Sequence, residues 1–195
     1  MDTTTHTTTA NADALASAPL DTLQTELSAR TGRGINAMIA GVILWTLFGI
    51  AGAVVADEFI LALVYVFGAG LLFPLSLLVA KALRLDTYAK GNPLGPLAGI
   101  LGGLQILFIP LMLGAVFLAP RSVPWFLAVL VGAHLLPYAW LYRSRAYLVA
   151  SIGIPVASGL VGWLLPDLVR FAAPAAVVVL LAVTAFLLHR ESRAG

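Results

Sequence analysis

Six stretches of this chain carry Asp, Glu, Lys or Arg only within three residues of an end, if at all: Gly34–Ala56, Glu58–Leu83, Leu94–Ala119, Val123–Tyr142, Ala146–Leu165 and Leu168–His189. A helix needs about 20 mostly apolar residues, at 1.5 Å each, to cross a bilayer. In hydrocarbon the backbone must bond to itself, so such runs fold as helices. The expected fold class is all-α: an integral membrane bundle of six transmembrane helices over residues 33–189. Composition agrees. The chain is 61% apolar and 10% charged, whereas a soluble domain carries about 25% charged residues. Too few charges remain to cover a water-facing surface.

The flanks read differently. Residues 1–19 are a Thr- and Ala-rich polar tail without the basic-then-apolar order of a signal peptide. The reading for this tail, including His6, is disordered and solvated. In PLDTLQTEL, residues 19–27, Asp21 followed by Gln24 resembles a capping box, and Leu20, Leu23 and Leu27 recur at helical spacing. A short amphipathic helix is expected over 20–32, on the membrane surface or packed on the end of the bundle. Residues 190–195 read as a tail.

Charge placement sets the topology. Of the 11 Lys and Arg residues, only Arg121 and Arg170 fall near the turns that also hold Asp57, Glu58 and Asp167. The others precede span one, follow span six, or lie at the end of span two (Lys81), in RLDTYAKGNP (84–93) and in the turn after span four. Basic loops stay in the cytoplasm, so both termini are expected there, in a multi-pass protein of the cytoplasmic membrane. Trp125 and Trp163 fall near the outer boundary, and Tyr138, Trp140 and Tyr142 near the inner one. The expected partner is the lipid bilayer. A net charge of +2 makes no case for nucleic acid. Arg33 and Arg143, Gly52 and Gly162, and Asp57 and Asp167 share one sequence offset, which fits either a weak internal repeat or three ordinary hairpins.

The interior is where chemistry would sit. Counted from Val123, His134 lies roughly 17 Å deep, near the middle of a core about 30 Å thick. Gln105 in span three and Trp45 in span one reach the same level. With no water there, the three side chains are expected to face inward and meet one another or a bound molecule. Pro137 frees the carbonyl of Ala133 beside His134, and Tyr138 lies on the same face one turn on. Together they make a candidate binding wall. The plainer reading is interhelical hydrogen bonding worth about 0.6–2 kcal/mol. Pro74, Pro110 and Pro155 free further carbonyls.

No GxSxG, helix-borne His–Glu pair or phosphate loop is present. His134 has no second ligand at useful spacing. The expectation is a non-enzymatic protein without metal or cofactor. Gly95, Gly99 and Gly103 form a small-residue stripe suited to close helix packing, inside the bundle rather than between copies. Lys90, Gly91 and Asn92 lead into a helix start, where an anion or lipid headgroup could dock; an ordinary turn explains the same letters.

At AKGNPLG (89–95) and GAHLLPYAWLYRSRAY (132–147) the chain resembles an uncharacterised family of small bacterial six-span membrane proteins. The resemblance runs from about Leu20 to the end of span five. It implies the same architecture, points to Lys90, Asn92, His134, Pro137 and Tyr138, and supplies no mechanism. Two functions remain open. One is a binder or carrier of a small amphiphile, lipid or solute, with a cavity around His134, Gln105 and Tyr138. The other is a structural or regulatory subunit that docks a partner membrane protein or a second copy. A binder needs a cavity at His134, whereas a docking subunit can have its polar groups paired.

Overall fold

Apolar periodicity without charged interruption becomes helix throughout. The computed structural model describes residues 18–194, so most of the polar tail, with His6, lies outside the described residues. The helices are α1 (Leu20–Thr31), α2 (Ile35–Val54), α3 (Glu58–Ala69), α4 (Leu72–Ala82), α5 (Leu94–Gly103), α6 (Ile109–Leu118), α7 (Val123–Ala133), α8 (Leu136–Leu141), α9 (Arg145–Leu164) and α10 (Val169–Ala194). Five continuous helical segments are long and apolar enough to cross a membrane, or six if the bent pair α3 and α4 counts as one. Large apolar side chains stand on the outside, among them Phe67, Phe117, Leu118 and Phe186. Water would not tolerate so many; lipid does. The chain is a multi-span, all-helical membrane protein.

Three helical stretches break partway along. A bend of 46° separates α3 from α4. A 3-10 stretch, Leu104–Phe108, lies between α5 and α6. A break at His134 and Leu135 separates α7 from α8. Each break precedes a proline (Pro74, Pro110 or Pro137) that has no N–H to give the preceding turn. Pro155 and Pro174, by contrast, sit inside unbroken helices.

Packing is uneven. Helix α10 lies most extensively along α2, and α9 lies along α7 and α10. Buried Leu44, Phe48, Tyr65, Val116, Leu127 and Ile154 belong to the central apolar cluster. Two glycines permit the closest approaches. A Cβ at Gly52 would stand 2.4 Å from the Arg170 carbonyl oxygen, and one at Gly132 would stand 2.4 Å from Pro155. Span three is peripheral: only 17% of its most apolar stretch is buried, against 28% or more in the other continuous segments.

The two ends of the bundle differ in charge. At one end, α1 is separated from α2 by Gly32, Arg33 and Gly34, all with positive φ. The capping box expected from Asp21 and Gln24 does not form. Helix α1 starts after Pro19 with no side-chain cap. Asp21 pairs with Arg143 at 3.2 Å, and the Gln24 amide donates to the Trp140 carbonyl at 2.9 Å. Leu23 and Leu27 are buried while Leu20 is exposed. At its C-terminus the chain stays helical through Ala194 instead of leaving as a tail at residue 190. Glu191 holds it there by pairing with Arg33 at 3.4 Å and accepting the Ala146 N–H at 3.3 Å.

Candidate functional site

Three levels of the molecule gather polar side chains. The first is the basic end, where α1 meets the loop after α4. Arg30 pairs with Asp86, through Nε at 3.1 Å and also through Nη2, and with Glu26 at 2.7 Å. Burial alone would raise the Asp86 carboxyl. The Arg30 guanidinium and the N–H groups of Tyr88 and Ala89 outweigh it, holding the group below its usual range. Asn92 is buried, and its amide N–H groups go to the Leu23 carbonyl at 2.9 Å and to Glu26. Its side-chain oxygen accepts the N–H of Leu94, the first residue of α5, at 2.9 Å. In the candidate anion site at Lys90, Gly91 and Asn92, the Asn92 amide is therefore committed to fastening α1. Lys90 is exposed, its carbonyl accepting from Arg30 at 3.0 Å, and Gly91 supplies a φ of 90° for the turn.

The second level is the layer of broken spans. Because the Leu135 N–H steps back to the Gly132 carbonyl at 3.0 Å, the Val131 carbonyl is left for a side chain. His134 Nδ1 takes it at 2.6 Å. The Gln105 amide nitrogen lies 3.0 Å from Nε2 and 3.2 Å from Nδ1; with the proton on Nδ1 directed at the Val131 carbonyl, Nε2 is the nitrogen able to accept the amide N–H. The carbonyl used is thus Val131's, not the Ala133 carbonyl that Pro137 frees, because the helix tightens before the proline. One turn on, the Tyr138 hydroxyl donates to the Ala98 carbonyl at 3.1 Å. These two bonds tie peripheral span three to span four. The Tyr138 ring also stacks with Tyr142 and Tyr147, with centroids 5.9 and 5.7 Å away.

Trp45 does not join this pair. Span one packs on span six and α4, and Trp45 instead meets Phe48 at 5.5 Å and Tyr65 at 6.1 Å. The glycine stripe also differs from expectation. A Cβ at Gly95 would stand 2.6 Å from the Tyr88 carbonyl, but Gly99 and Gly103 have nothing within 4 Å. At the edge of the bundle they have no span to pack against. Beside Gln105 a narrow cleft of about 40 Å³ opens between spans two, three and four, walled by Val66, Ala69, Phe108, Met112, Leu127 and Val131. Gln105 is its one polar side chain, and His134 lies behind it.

The third level is the end opposite the basic one. A cleft of about 160 Å³ is lined by Glu58, Arg121, Asp167 and Arg170, with Leu61 and the prolines 120, 124 and 166. Arg121 pairs with Glu58. Arg170 donates through Nη2 to the Val55 carbonyl, while its Nε is buried with no acceptor among the described residues. Sequence reasoning left Arg170 and Asp167 as ordinary turn residues. A signal was present: Pro174, four residues on, frees the Arg170 carbonyl, which accepts the Tyr65 hydroxyl at 3.4 Å. Among the described residues, no three His, Asp or Glu side chains stand together to hold a metal.

A family model described as "Family of unknown function (DUF7010)" matches residues 20–191, from α1 almost to the end of α10. No curated protein and no solved structure matches the chain.

Proposed function

We propose that this chain, which belongs to the DUF7010 family, binds a lipid or other small amphiphile from within the bilayer and catalyses no reaction. In this reading it crosses the cytoplasmic membrane six times, the bent pair α3 and α4 making one span. Both termini lie in the cytoplasm by the positive-inside rule, and α1 covers the bundle's cytoplasmic end. The observation that carries the reading is the cleft beside Gln105, at the layer where spans two, three and four break. Broken helices are tolerated at membrane depth where backbone is buried in protein or lines a cavity. Here the walls are apolar and one amide is present, an environment suited to an acyl chain that carries a polar group. His134 acts by orienting that amide.

The test is thermal unfolding of the purified protein with and without added lipid extract. The wild type is expected to gain several degrees from lipid. Gln105→Leu, which keeps about the same bulk and removes the cleft's one polar side chain, is expected to lose that gain. An equal gain in both proteins, or none in either, contradicts the reading.

A second reading has its own support. Both ring nitrogens of His134 and the hydroxyl of Tyr138 are already bonded to protein, and Gly99 and Gly103 are uncovered. A structural or regulatory subunit that docks a partner protein or a second copy has these features. For such a subunit, His134→Ala lowers stability by about 0.6–2 kcal/mol and leaves any lipid-induced shift unchanged.

A further inference from the structure

The geometry points to the cleft at the non-basic end as a site for a small zwitterion, one group bearing a phosphate or carboxylate and a primary ammonium. It rests on the amphiphile-binding reading, whose polar end it identifies. Four charged side chains line the cleft, two of each sign: Arg121, Arg170, Glu58 and Asp167. Arg121 and Glu58 neutralise each other. Arg170 and Asp167 do not. The Arg170 guanidinium is fixed at one corner by Val55, and its Nε has no acceptor among the described residues. The Asp167 carboxylate is exposed and makes no ion pair among the described residues.

Arg170 and Asp167 are three residues apart, so they share one side of the same turn. A simple anion at Arg170 would face Asp167, and a simple cation at Asp167 would face Arg170. A ligand with both signs gives each residue a partner. The site is also rigid: Pro166 begins the turn, and Gly52 brings α2 against the Arg170 carbonyl. At about 160 Å³ the cleft falls below the roughly 300–1,000 Å³ of pockets for drug-sized ligands, which suits a headgroup and excludes a bulky solute.

Position selects the ligand further. The cleft lies at the turns between spans, the level of lipid headgroups. Leu61 in its wall is five residues, roughly 7.5 Å of helix, from Val66 in the cleft beside Gln105, and Pro124 is one turn from Leu127. The two clefts thus lie at successive depths along spans two and four. The same chemistry exists in a phosphatidylethanolamine headgroup and in soluble zwitterions such as glycerophosphoethanolamine.

The experiment uses the full chain in nanodiscs of phosphatidylglycerol holding a minor share of phosphatidylethanolamine. Native mass spectrometry counts the lipids that stay bound. In a second arm, calorimetry measures glycerophosphoethanolamine and glycerophosphoglycerol in nanodiscs free of phosphatidylethanolamine. The expected result is a preference for the ethanolamine species of about tenfold, the scale of a charge-assisted contact pair. Asp167→Asn should abolish it, and Arg170→Lys, which keeps the charge but not the fork, should weaken it. Preference in the lipid arm assigns a headgroup, and preference in the soluble arm alone assigns a free solute; both support the site. Equal binding of ethanolamine and glycerol species, no binding in either arm, or a preference that Asp167→Asn leaves intact overturns it. If that happens while Gln105→Leu still removes the thermal gain from lipid, the headgroup site fails and the amphiphile reading stands. If the thermal gain is also absent, both fail.

Discussion

The two ends of this bundle use similar side chains to different effect. At the basic end a set of polar groups closes on itself: Arg30 on Asp86 and Glu26, Asn92 on α1, Arg33 on Glu191, and the Tyr147 hydroxyl on the Arg33 carbonyl at 2.8 Å. At the other end Arg121 and Glu58 close, but Arg170 and Asp167 line a cleft and make no ion pair among the described residues. A polar group satisfied by its own chain fastens; one left open at a rigid position is available to a ligand. The basic end is therefore a fastening, and the opposite end is the place to look for binding.

The comparison can be broken most sharply at Gly52. Valine there would drive a side chain into the Arg170 carbonyl oxygen, only 2.4 Å from the Cβ position, and a backbone oxygen cannot step aside. A loss of about 3 kcal/mol is expected, the upper end for overpacking, read by thermal or denaturant unfolding. An unchanged midpoint would show that the open end is not rigid. Next in size is Asn92→Ala at the fastened end. It removes one partner each from the Leu23 carbonyl, the Leu94 N–H and Glu26, which keeps Arg30, and should cost about 1–3 kcal/mol. Protease cleavage within α1 should quicken with it.

Acid tests the same fastening more gently. Because the folded-state pKa of Asp86 is depressed, its contribution is present above the unfolded value of about 3.9 and is lost as pH falls through the lower folded value. Hydrogen exchange in α1 should therefore rise only below about pH 4. Onset near neutrality would contradict the role of Asp86. The smallest effect is expected from Asp167→Asn. An exposed carboxylate without a protein partner should shift stability by less than about 0.5 kcal/mol. A large loss would mean the residue is a fastening after all, and the contrast between the ends would disappear.

How much of this the sequence disclosed follows from what each signal depends on. That the chain is a bundle of long apolar helices was legible because hydropathy and charge are properties of the chain itself. Helix ends at Leu83 and Tyr142 came close to the observed ends at Ala82 and Leu141. There, Arg84 and Arg143 take the left-handed conformation that glycine usually fills. The pairing of Gln105 with His134 followed from depth alone. Trp45 shares that depth but faces a different neighbour, because rotation about the helix axis is set by which spans pack together. Gly99 and Gly103 failed as internal packing residues for a similar reason: a small-residue stripe does not say whether its span lies inside or at the edge. The Arg170 cleft was missed because its four side chains come from three separate turns, which only the fold assembles.

The most direct test of the account uses the absence of cysteine from the natural sequence. Single cysteines replace exposed Ala56 at one end and exposed Tyr88 at the other, and intact cells are treated with a membrane-impermeant maleimide. The account predicts that Ala56→Cys is labelled at once and Tyr88→Cys only after the membrane is permeabilised. Labelling of Tyr88→Cys in intact cells, or equal labelling of both, would contradict it.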